Sequence, residues 1–221
     1  MQLKDETHVS VMNIQSSTIK RVHFISGLII TLFVALHLFN HSCSILGADK
    51  HIEIMNALRL VYRNTFAETI LLGAVLIQII SGLNLFNKYR KTAVSNNDKL
   101  HIYTGLYLAI FFVIHVSAVL IGRFILHLDT NVYFGAAGLN FFPFNLFFIP
   151  YYVLAIISFF GHIAAIHNKK MKRSVLHLTP ATQSKIILLF GLCVTILIMY
   201  GLTNRFTGLV IPSTYNVLIG K

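Results

Sequence analysis

Residues 21–43 read RVHFISGLIITLFVALHLFNHSC, a run apolar enough to cross a membrane that nevertheless holds three histidines. His37 and His41 lie deep in it at i, i+4 spacing, so they share one helix face. Single histidines recur inside later apolar runs, at His115 and His162. An imidazole in hydrocarbon is costly unless it is hydrogen-bonded or bound to a metal. Imidazoles brought together from different helices are the usual axial ligands of an iron porphyrin. The chemistry to look for is therefore a haem held between helices.

The chain around these residues is membrane-like. Of its 221 residues, 56% are hydrophobic and 11% charged, against roughly a quarter charged in a soluble domain. The pattern predicts an all-α integral membrane bundle of five helices, at about 22–46, 66–87, 101–124, 146–167 and 185–204, each near the length a bilayer needs. A polar arm, 1–20, precedes this membrane domain (21–206), and a tail, 207–221, follows it. The first run is longer than the apolar core of a cleaved signal peptide, so it reads as a retained helix. None of the five shows the sustained alternation of a barrel strand. Between the first two spans, Ile52, Met55, Leu58, Leu60 and Val61 repeat with a helical period and predict a short surface helix. The aromatic, Gly- and Asn-rich stretch 123–145 reads as an interfacial loop. Thr179 and Pro180 are suited to start the last helix.

The formal net charge is +11, carried in the connections between apolar runs. With the N-terminus in the cytoplasm, twelve Lys and Arg fall inside and six outside, which is the positive-inside pattern and not the footprint of a nucleic-acid binder. The two cysteines, Cys43 and Cys193, make no CxxCH attachment or zinc pattern, so a haem here would be held without covalent attachment.

Depth sharpens the histidine argument. His37 is sixteen residues past Arg21, and His115 is sixteen past Lys99 on a helix running the same way, which puts both about 24 Å from the inner surface. Two imidazoles at one depth on two helices suit a bis-imidazole iron. His41 is the alternative ligand, or a contact to a haem propionate or a quinone. His162 lies nearer the inner surface, where the second span offers Gln78, a poor iron ligand but a possible hydrogen-bond partner. Arg123, with Arg59 and Arg63, falls on the outer side beside His41 and suits carboxylates such as propionates, or snorkelling to the interface; a quinone is placed near His41 and Arg123. Glu68 starts the second span, either as a helix-N-terminal carboxylate or as a proton-handling group. His23 and His101 read as interfacial, the former beside Ser26 and the latter beside Thr104, and His167 as a helix-end residue. His8, His51, His127 and His177 read as solvated loop residues, and Tyr62 and Tyr133 as belt residues. Gly27, Gly82, Gly105 and Gly161 permit close approach of either a helix or a flat macrocycle.

Several segments together resemble one family. KRVHFISG and ALHLFNH in the first span, YTGLYLAIFFVIH ending at His115, YVLAIISFFGH ending at His162, and LTPATQSK before the last span are similar to the five-helix cytochrome b membrane subunit of succinate dehydrogenase and fumarate reductase, the single-polypeptide di-haem type. The resemblance runs from Lys20 to about Arg205. It implies His37 and His115 as ligands of an outer haem b and His162 as a ligand of an inner one. Where the family has a second-span histidine four residues before a glycine, this chain has Gln78 before Gly82, so one haem is expected, with two possible. It further implies a bacterial cytoplasmic-membrane location, flavoprotein and iron–sulfur partners on the cytoplasmic face, and electron transfer to quinone rather than catalysis by the chain alone. The chain carries no dinucleotide fingerprint and no cysteine cluster for an iron–sulfur centre. A stand-alone haem protein for redox relay or haem handling is the second reading, and a haem-free anchor or transporter the third.

Overall fold

The computed structural model describes the backbone of residues 2–221 and the side chains of residues 17–221. The side chains of Lys4 and His8 lie outside the described residues. Among the described residues seven α-helices follow one another: α1 (Gln2–Ser42), α2 (Ala48–Tyr62), α3 (Thr65–Tyr89), α4 (Asn96–Phe124), α5 (Val132–Ala136), α6 (Asn145–Lys170) and α7 (Pro180–Leu202). Short 3₁₀ turns at Cys43–Leu46, Gly138–Asn140 and Ser213–Ile219 complete the order. Five helices are long and apolar enough to cross a membrane, within Ser17–Leu46, Thr65–Tyr89, Asn96–Phe124, Asn145–Lys170 and Pro180–Leu202. The protein is an integral, multi-pass, all-α membrane bundle, as its apolar runs predict.

Local chemistry starts these helices. Asn64 Oδ1 accepts from Ala67 N at the head of α3, and Ser95 Oγ accepts from Asp98 N at the head of α4. Thr179 caps α7, with Pro180 at its first position, where a missing N–H leaves nothing unpaired. The backbone thus passes through the apolar region in helices, which satisfy their own hydrogen bonds.

Connectivity sorts the bundle into two ends. The C-terminal ends of α1, α4 and α7 and the N-terminal ends of α3 and α6 share one end, with α2 and α5 beside them; we call this the capped end. The 90–95 and 171–179 connections mark the far end. Helix α6 packs mainly on α7 and α4, and α1 on α3. Near the cap, Val132, Leu139, Ile156, Ile198, Met199 and Leu202 form one core, and between α1 and α3 Ile30, Ala74 and Val75 form another. Much of the remaining apolar surface faces outward, as a bilayer requires: Leu28, Leu32, Leu189 and Ile196 are all exposed.

Two connections differ from their sequence reading. The 123–145 stretch does more than lie at the interface, because Val132, Ala136, Ala137 and Leu139 are fully buried within the capped end. The surface helix α2 forms as its period predicts; His51, Met55, Arg59 and Tyr62 face the bundle and Ile52 packs on its core, while Leu60 and Val61 point away. The period of the apolar residues marked the helix, whereas the packed face is set by what the bundle below offers to a histidine and an arginine.

Small residues allow the tightest approaches. A Cβ on Gly201 would come within 2.7 Å of the Ile45 backbone nitrogen, against which α7 packs. One on Gly73 would meet nothing within 4 Å. Gly201→Ala should lower thermal stability in detergent by about 1–3 kcal/mol, the usual cost of overpacking. Gly73→Ala should leave it unchanged or raised by a few tenths of a kcal/mol up to about 1; equal melting temperatures for the two variants would contradict this packing.

Candidate functional site

The capped half of the bundle encloses a cavity of about 290 Å³ into which α1, α2, α3, α4 and α6 all present side chains. Four of the protein's histidines line it: His37 and His41 from α1, His51 from α2 and His115 from α4. The rings of His37 and His115 have their centroids 6.2 Å apart and their planes at 69°. Each is backed by an aromatic ring, His37 stacked on Phe33 and His115 on Phe111, with Tyr152 edge-on to His115. These aromatic walls give each imidazole a fixed plane on an otherwise apolar face.

The other two histidines continue from His37 as a chain. Nε2 of His37 and Nε2 of His41 are 3.1 Å apart, and Nδ1 of His41 is 3.3 Å from Nε2 of His51. Asn40 Nδ2 donates to that same His51 Nε2 at 3.2 Å. His51 Nε2 thus lies within hydrogen-bond reach of both Asn40 and His41, with one lone pair to share between them. His51 is a correction to its reading as a solvated loop residue: its exposure is 1%. The signal was its i, i+4 spacing to Met55 and i, i+8 spacing to Arg59, which share its packed face.

Charged residues line the same cavity. Arg123 forms an ion pair with Glu68, tying α4 to α3. Arg59 is 2.8 Å from Asp129 and 3.5 Å from Thr130 Oγ1, tying α2 to the 125–131 connection. Arg63 reaches the same Asp129 oxygen only at 3.9 Å. Tyr62 lines the cavity and packs edge-on against Phe33, in place of a belt role. Arg123, placed with His41 in the sequence reading, does share the cavity with it, but its carboxylate partner is already present in the chain as Glu68. Glu68 is accordingly more than a helix-end charge.

Toward the far end the polar residues form a different arrangement. Gln78 accepts from Ser26 Oγ at 2.6 Å and donates to His23 Nε2 at 3.2 Å, while His23 Nδ1 meets Ser81 Oγ at 2.9 Å. His162 donates from Nδ1 to the His101 carbonyl at 3.0 Å, with Thr104 Oγ1 at 3.4 Å and the His101 ring centroid at 4.6 Å. The expected Gln78–His162 partnership is therefore replaced by two separate sets, one between α1 and α3 and one between α4 and α6. The glycines read as close-approach points face these side chains: Gly27 faces Gln78, Gly82 faces His23, Gly105 faces His162, and Gly161 faces Thr104. His167 Nε2 donates to Gln183 Oε1 at 2.7 Å across α6 and α7.

Whether the capped cavity suits a haem can be tested on this geometry. An imidazole nitrogen sits about 2.0–2.1 Å from a bound metal, so two imidazoles that would hold one metal between them would have ring centres about 6 Å apart once each ring's own radius is added. The His37–His115 spacing of 6.2 Å meets that condition. The volume is at the lower edge of the roughly 300–1,000 Å³ of small-molecule pockets, so a macrocycle requires the lining side chains to part. Of the His37 nitrogens, Nε2 is engaged by His41. The donor set fits; the space requires side-chain movement. Among the described residues no group of three or more His, Cys, Asp or Glu is arranged to hold a bare metal ion, a condition a porphyrin iron with two axial ligands does not need.

The fold and this cavity define the class: a five-span helical membrane protein with a histidine-lined, arginine-rimmed chamber at one end. Compared with known proteins, the chain matches no family model, no curated protein and no solved structure.

Burial, with His37 and Arg59 adding, lowers the pKa of His51 from 6.5 to about 4. A folded-state pKa below that of the undocked helix means that docking of α2 is fully favoured above about pH 6.5 and weakens as pH falls toward 4. Amide exchange in α2, corrected for its intrinsic pH dependence, should therefore quicken between about pH 7 and pH 5, and His51→Gln should flatten the profile. An identical pH profile in the two proteins would rule out His51 as the titrating group.

Proposed function

We propose that this protein is the haem b-binding membrane-anchor subunit of a complex like succinate dehydrogenase or fumarate reductase, with the ligands His37 and His115. The observation that carries the reading is the pair of imidazoles that α1 and α4 bring to one cavity, at 6.2 Å between ring centres. Buried neutral histidines that only stabilise a bundle need a hydrogen-bond partner each; His115 has instead an aromatic wall behind it and the cavity before it. A haem bound there supplies one-electron redox chemistry. The chain's own contribution is to fix the two rings, exclude water and present charge at the rim. His41 stands beside His37 as the alternative ligand, or as the residue that meets a propionate or a quinone head group with Arg123.

The positive-inside pattern supports a cytoplasmic N-terminus, which puts the capped end outside and the basic far end toward the flavoprotein and iron–sulfur partners. Quinone is the electron partner in the membrane. In this reading the chain relays electrons and is not an enzyme by itself. A second reading, a stand-alone haem protein of redox relay or haem handling, is favoured by the far end. Gln78 and His162 are there hydrogen-bonded to different neighbours, so the electron route offers one haem position and not two.

The test is a dithionite-reduced minus oxidised visible spectrum of the detergent-purified protein, with haem quantified per chain. A b-type α-band at one haem per chain is expected. His115→Ala should lose the band while remaining inserted and helical by circular dichroism; full haem content in that variant would refute the ligand assignment. Co-purification of a flavoprotein separates the first reading from the second.

A further inference from the structure

Three guanidiniums line the capped cavity, Arg59, Arg63 and Arg123, with two carboxylates to serve them. Glu68 is taken by Arg123. Asp129 is taken by Arg59, which holds it at 2.8 Å and is further fixed by Thr130. The Arg63 guanidinium is left with a share of the same Asp129 oxygen at 3.9 Å and, among the described residues, no side-chain hydrogen bond. Its side chain is about two-thirds buried, so water does not fully compensate its charge. Burial and the guanidiniums of Arg59 and Arg123 all act against its charge, and Asp129 and Glu68 only partly offset them. A rim with one positive charge in excess, above an apolar and aromatic chamber, is complementary to an amphiphile with an apolar body and a carboxylate head.

We propose that Arg63 is the residue that binds a carboxylate of the molecule occupying this cavity, and that with a haem as occupant, the reading on which this inference rests, the carboxylate is a propionate. Arg63 is the best placed of the three for this. Recruiting Arg59 or Arg123 would strip an existing carboxylate of its partner, whereas Arg63 gains a bidentate contact and gives up only a long one. The contact also fixes orientation. An occupant's charged edge would then face α2, where Arg63 lies at the C-terminal end.

The test compares haem with its dimethyl ester, in which both propionates are uncharged, on the full-length protein in detergent. The measured quantity is affinity by spectral titration. The wild type should bind haem roughly tenfold or more tightly than the diester, as expected for a charge-assisted contact. Arg63→Gln should remove most of that preference by weakening haem and leaving the diester unaffected, and Arg63→Lys should restore part of it. Equal binding of the two forms by the wild type, or an equal loss of both in Arg63→Gln, would overturn the proposal while leaving haem binding intact. If neither form binds, the haem reading itself fails and this inference with it.

Discussion

An imidazole within a membrane helix must be paired. Water is not available there, and an unpartnered polar group costs several kcal/mol. The protein meets that requirement in two ways and leaves His115 outside both. At the far end each histidine is matched to a nearby oxygen or amide: His23 to Ser81 and Gln78, His162 to the His101 carbonyl. At the capped end the histidines are matched largely to one another, His37 to His41 and His41 to His51, while His115 faces the cavity from an aromatic wall. The first solution satisfies local groups and closes space. The second gathers nitrogen donors around a chamber. That contrast is why one end of an apparently regular bundle reads as a site and the other as packing.

The cap follows from the same requirement. His51 completes the chain from outside the spanning helices, so α2 must lie across the end of the bundle for the pairing to exist. The charges then hold it there. Arg59 and Asp129 join α2 to the connection after α4, and Arg123 and Glu68 join α4 to α3. These pairs are only partly exposed, so salt screens them less than ordinary surface pairs. Closing the chamber therefore uses two of the three guanidiniums at its rim, and the third, Arg63, is left to carry the positive excess.

The five spans were legible because length and hydropathy suffice to mark a helix in a bilayer. The convergence of His37 and His115 was legible because helices of known rise make depth countable. Side-chain direction was not legible by either route. The apolar period marked α2 as a helix but did not say which of its apolar residues pack: Met55 is buried, while Leu60 and Val61 point away. His51 was missed for the complementary reason: a histidine in a short polar connection has no depth to count. Depth suggested the pairing of Gln78 with His162, but depth does not say which of several polar groups at one level will be the partner. Ser26 and His23 lie beside Gln78 on the adjoining helix and satisfy it first.

The far-end glycines carry this point further. A glycine in a spanning helix leaves a notch, and the same notch accepts a helix, a macrocycle or a side chain. At Gly105 an added Cβ would come 3.0 Å from His162 Cε1, and at Gly82 it would come 3.3 Å from His23 Cε1. In this chain the notches are thus seats for imidazoles that are hydrogen-bonded in place. Gln78 binds two partners across α1 and α3 at once, which a histidine at that position could match only by surrendering both ring nitrogens. A glutamine there does more than remove a ligand. It ties α3 to α1 at the level where a second site would need those helices to leave nitrogen donors free, so the residue that resembles a loss is also the one that stabilises the closed arrangement.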